Sequence, residues 1–215
     1  MYERKWNTFL KRLWPFRFIP FVDFVFASGS LATGRMHENS DFDVIVGVRQ
    51  GRIFTARFFT VGIFRLLRWG RKHSDSEKFA RNKICLNHFV TPSAYRLAPP
   101  YNEYWKLLYS SLVPVYGAEK SIQSFWDANQ DWMNKRKIYT NDTRHRYKNK
   151  ISIQAILEWM LGGTMGDWLE KILKNMQLRK IISRDSSGYN PRIIVNDNEL
   201  EFHPDTRRTE SYFDS

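Results

Sequence analysis

Phe24-Val25-Phe26-Ala27-Ser28-Gly29-Ser30-Leu31-Ala32-Thr33-Gly34-Arg35 and, after a short polar connector, Ser40-Asp41-Phe42-Asp43-Val44-Ile45-Val46 decide how this chain reads. Phe21 to Ala27 is apolar and strand-like. Gly29 to Arg35 reads as a tight turn opening a short helix, and Phe42 to Val48 as a second strand. Asp41 and Asp43 are separated by one residue, so on a strand they project to the same face. Their hard oxygens suit a divalent cation, Mg²⁺ or Mn²⁺. Gly29 lets the backbone approach a ligand closely, and the helix that Ser30 opens offers N–H groups to phosphate oxygens. Metal ligands and a phosphate cradle in one short unit point to nucleoside triphosphate chemistry.

The run Gly29-Ser30-Leu31-Ala32-Thr33-Gly34-Arg35, followed by Ser40-Asp41-Phe42-Asp43, resembles the nucleotidyltransferase superfamily related to DNA polymerase beta. It is most similar to the small "minimal" domains of that superfamily. The motif itself covers Ser28 to Val46, and with the elements that follow the likeness extends to about the first ninety residues. The resemblance implies that Asp41 and Asp43 are catalytic metal ligands. It implies that Gly29, Ser30, Arg35 and Ser40 serve the nucleotide, with Ser40 orienting Asp41 or capping its turn. It also implies transfer of a nucleoside monophosphate to an acceptor hydroxyl, the acceptor being RNA, a protein or a small molecule.

One position departs from the family. Active members usually carry a third acid on a neighbouring strand, and the matching run, Lys83 to Val90, has none. Asn87 falls roughly where it is expected, and an amide cannot take a proton. His88 is either a base or a packed strand residue. Asp75 and Glu77 lie nearby in sequence, in a loop that would have to fold back. The competing expectation is therefore a nucleotide-binding or antitoxin-like regulatory module with a protein partner.

The fold expected is α/β (α+β), a mixed sheet flanked by helices over residues 1–95. A mainly helical region, 100–182, and a tail, 183–215, with a short strand at Pro191 to Val195 follow. Residues 3 to 14 read as an amphipathic helix burying Trp6, Phe9, Leu10, Leu13 and Trp14, stopped by Pro15. Arg52 to Arg68 is helical in pattern. Gly70 to Asn82 reads as a loop exposing Asp75, Glu77 and Lys78, and Ile84 to Thr91 as the third strand. Pro99-Pro100 marks a boundary. Helices at Tyr101 to Leu112 and Ala118 to Met133 are joined through Pro114 to Gly117. A long helical pattern from Ile151 to Ile182 breaks at Gly162-Gly163.

Of 215 residues, 42% are hydrophobic, enough for a core and against wholesale disorder. The formal charge of +12 favours polyanionic partners such as triphosphates or RNA. Arg144-His145-Arg146-Tyr147-Lys148, with Lys171, Lys174, Arg179 and Lys180, is a candidate nucleic-acid face or an ordinary solvated one. His203-Pro204-Asp205 lacks partners at metal spacing. The single cysteine, Cys85, excludes an intrachain disulfide, fits a reducing cytoplasmic setting and reads as a small buried hydrophobe. The N-terminal sequence does not read as a signal peptide, and no apolar run is long enough for a spanning helix.

Overall fold

A computed structural model describes residues 1–72, 75–99, 101–136, 142–182 and 192–203. Among these, six strands form one mixed sheet in the order β4-β1-β2-β3-β6-β5. β1 (Val22–Ala27) pairs antiparallel with β2 (Phe42–Val48), and β2 pairs parallel with β3 (Ile84–Val90). The parallel pair needs a crossover. It is supplied by α3 (Ile53–Leu66) and the short α4 (Glu77–Ala80), so the Gly70 to Asn82 segment is not all loop.

β4 (Val113–Gly117) lies where a connector between two helices was expected, and it pairs antiparallel with β1. Pro114 is tolerated because β4 is an edge. β5 (Arg192–Val195) and β6 (Glu199–His203) form a hairpin, and β6 pairs with β3. Thus β4, β5 and β6 join the first three strands from beyond residue 95.

Strand alternation sorts the core into two layers. Phe42, Val44, Val46 and Phe89 face a cluster containing Phe9 and Leu10 of α1 (Tyr2–Lys11) and Phe54 and Phe64 of α3. Phe24, Phe26, Ile45 and Val90 face Trp105, Leu108 and Tyr109 of α5 (Glu103–Ser111) and Phe125 of α6 (Glu119–Asp127). α1 stops at Lys11, and Pro15 sits inside a 3-10 turn, Trp14–Phe18, instead of ending the helix. Trp14 is exposed, contrary to its expected burial. The helical pattern after residue 118 ends earlier than expected, at Asp127.

The C-terminal helices α7 (Ser152–Met160) and α8 (Gly163–Ile182) break at the expected Gly162-Gly163. α7 is fixed by buried polar side chains. Gln154 donates to the carbonyls of Ile19 and Val22 and accepts from the Tyr116 hydroxyl. Glu158 accepts from the Phe21 N–H and from Lys150 and Arg49. Those bonds hold Phe21 at φ 66°, a left-handed conformation unusual for an aromatic residue. α8 packs on α3, where Glu170 accepts from the N–H groups of Phe54 and Thr55, both at 2.8 Å. It thereby caps a helix whose own N-cap residue, Arg52, provides no side-chain bond.

Candidate active site

Asp41 precedes β2 and Asp43 lies in its first turn of pleat, facing the α5–α6 side between Phe42 and Val44. The connector that delivers Asp41 is fixed from α1. Lys5 is buried and donates to the carbonyls of Glu38 at 2.7 Å and Ser40 at 2.8 Å. The Ser40 hydroxyl accepts from the His37 N–H at 2.9 Å, closing the turn. Of the two roles considered for Ser40, the observed bond is the turn cap.

Gly29 opens α2 (Gly29–Thr33) at φ 59°, in the region that favours glycine. A Cβ there would stand 2.2 Å from Oδ2 of Asp43, so the glycine backbone lies directly against that carboxylate. Gly34 closes α2 in a left-handed cap, with the Arg35 N–H donating to the Ser30 carbonyl. Arg35 itself is exposed at the end of this short helix.

β3 supplies the other side. Cys85 is the register partner of Asp43, and the ligand atoms of Asp41, Asp43 and Cys85 all lie within 4.8 Å of one another. Cys85, expected as a small buried hydrophobe, is half-buried beside two carboxylates. Burial and the neighbouring Asp43 and Asp41 push its thiol well above the usual range, so it stays protonated and hydrogen-bonds Asp43. The ladder then slips: Asp43 faces Cys85, but Ile45 faces His88, leaving one extra residue in β3. Asn87 and His88 consequently line one cleft with Ser28, Gly29, Asp43 and Trp105.

Arg71 pairs with Asp41 at 2.6 Å. It is positioned by its own N–H, which donates to the Ile84 carbonyl at 2.9 Å, while Gly70 bridges Ile84 in parallel. Sequence reasoning missed Arg71 because it is one of several arginines after α3. Burial and the adjacent Asp41 raise the Asp43 carboxyl to about 7, with Arg71 opposing that shift. Two carboxylates crowded together, one of them desolvated, form a field that a cation relieves.

Other expected residues are engaged elsewhere. Asp75 is not exposed: it accepts from the Lys72 N–H at 2.8 Å and from Lys83 at 3.0 Å. The side chain of Glu77 and the run Pro204 to Arg208 lie outside the described residues, as does the His203 side chain. In the basic run, Arg144 pairs with Asp142, His145 bonds the Gly117 carbonyl and Lys148 pairs with Glu119. His88, buried, pairs with Glu199 at 3.1 Å, which corresponds to the packed alternative. Among the described residues, no helix is long and apolar enough to cross a membrane.

A glycine turn set against paired carboxylates, on a mixed sheet with helices on both faces, is an α+β architecture that fits a nucleotidyltransferase-like domain. The chain matches the family model "Nucleotidyltransferase domain" over residues 3–162. It belongs to that family, whose general chemistry is nucleotidyl transfer. No curated protein and no solved structure gives a significant match.

Proposed function

We propose that this protein is a divalent-cation-dependent nucleotidyltransferase, moving a nucleoside monophosphate from a nucleoside triphosphate to an acceptor hydroxyl with release of pyrophosphate. The observation that carries this reading is the contact of Gly29 with Asp43, where a Cβ would come within 2.2 Å of the carboxylate. It supports assigning the turn to the distal phosphates and the carboxylate beside it to the metal.

The donor set fits Mg²⁺ or Mn²⁺. Asp41 and Asp43 offer hard oxygens, and the protonated Cys85 offers no competing thiolate. Such a cation, when bound, neutralises charge on the phosphoryl group and its leaving oxygen. Asp41 and Asp43 hold it, and the Ser30 hydroxyl with the backbone following Gly29 orients the distal phosphates. Arg71, paired with Asp41, adds positive charge beside the same oxygens. Asn87 can orient the acceptor by hydrogen bonding but cannot deprotonate it.

The test is incubation of the pure protein with each labelled triphosphate, candidate acceptors and Mg²⁺ or Mn²⁺. Asp41→Ala with Asp43→Ala should abolish transfer; label incorporated by that double variant would reject the site. A second reading, a binding or regulatory module, is favoured by one observation: the β3 side chains near the carboxylates are Cys85 and Asn87, not an acid. Triphosphate binding without pyrophosphate release, unchanged by Asn87→Asp, would establish that reading over the enzyme.

A further inference from the structure

α7 buries polar side chains and turns apolar ones outward, and α8 leaves an apolar stripe exposed beside its packed Leu169, Leu173 and Leu178. The polar residues of α7, Gln154 and Glu158, are buried against the sheet, while Ile153, Ile156, Trp159 and Met160 are exposed. On α8, Glu170 and Gln177 turn inward to bond the first turn of α3, with Leu173 packed beside them. Met165, Trp168, Ile172 and Met176 face out, and Trp159 and Trp168 are 83% and 65% exposed. A helix ordinarily buries its apolar stripe and presents its polar one. Large clustered apolar surface of this kind marks an interaction site.

We propose that this face joins two copies of the chain across a twofold axis, α8 lying antiparallel to α8 of the second copy. Two observations select a second copy as the occupant. Two tryptophans at about 150–250 Å² each, with six partly exposed Ile and Met side chains, present several hundred Å² of apolar surface, of the order of the ~800 Å² each partner contributes to a standard stable interface. The α8 stripe is also nearly palindromic in its spacing. Turned end for end, it sets Met165 against Met176 of the partner subunit and Trp168 against Ile172 of the partner subunit. A twofold interface requires this reciprocity, in which each residue meets the one that meets it. The two tryptophans supply the aromatic anchors that dominate such contacts.

The experiment is sedimentation of the full chain over a concentration series from about 1 to 100 μM, typical for weak to strong dimers, with cysteine cross-linking to read the register. The wild type should sediment as a dimer, and Trp168→Glu with Ile172→Glu as a monomer with an unchanged circular-dichroism spectrum. Met165→Cys and Met176→Cys proteins, oxidised as a mixture, should form a disulfide-linked pair. Each alone should not, because the like positions lie about 16 Å apart along an antiparallel pair at 1.5 Å per residue; Cys85, common to both, serves as the internal control. A wild type that stays monomeric throughout overturns the proposal, whether or not it sediments with anionic vesicles or binds another protein. So does a dimer indifferent to the double substitution, or one in which Met165→Cys cross-links to itself.

Discussion

Gly29 carries two constraints at once, a left-handed backbone and the proximity of the Asp43 carboxylate. Gly29→Ala should lower stability by about 1–3 kcal/mol, the range for a strained backbone position, and should displace Asp43. Transfer should fall further than folding, and thermal melts run beside the labelled-triphosphate assay will separate the two. In the proposed metal role, Asp43 would make cation binding depend on pH. Its carboxyl, ordinarily at 3.8, titrates at about 7 in the folded protein. Below that pH a proton competes with the cation, so Mn²⁺ affinity should fall about tenfold per pH unit. Without cation the sign for stability is the reverse of the common acidic case. The folded state retains a proton that the unfolded state releases, so this contribution is full below about 4 and is lost as pH rises towards 7. Asp43→Asn should remove that slope from pH-dependent melts, whereas a wild type and variant with parallel slopes would contradict it. The acids themselves were legible because their signal is local: a spacing of two within an apolar run. Cys85 and Arg71 were not, because their positions depend on which strand lies beside which and on a one-residue slip in the ladder.

At the scale of elements, α3 begins without a side-chain cap of its own and borrows Glu170 from α8. Glu170→Ala should cost about 1–2 kcal/mol, the range for a lost N-cap, read as a lower melting midpoint. Glu170→Gln should recover part of it, since an amide oxygen still accepts. β1, β2, β3 and α3 were legible from periodicity to within one or two residues. β4 was not: Pro114 and Gly117 carry the signature of a turn, and only its place at the sheet edge makes them compatible with a strand. α7 and α8 were legible as helices, but which face each buries was not. Gln154, Glu158 and Gln177 are buried on them, bonding to backbone groups that a pattern of hydrophobicity does not register.

Across the whole molecule, residues far apart in sequence complete one sheet. β6 covers β3 and contributes Leu200 to the core, so the last described residues are structural. A chain ending at residue 190 should leave β3 as a bare edge and lose buried apolar contacts. It should melt at lower temperature and aggregate. An equally stable, monodisperse truncated protein would show that the hairpin is dispensable.

The strand order also carries a consequence for synthesis. β1, β2 and β3, the strands around the carboxylates, are made before β4 and β6, and their outer flanks are not sealed until those two emerge. The parallel β2–β3 pair and the distant closures are non-local contacts, which form slowly. The nascent chain therefore carries these strands with an open hydrogen-bonding edge until β6 is made, the interval in which wrong pairing with other chains competes with folding. A strand made well after them in the chain thus decides whether these earlier strands survive.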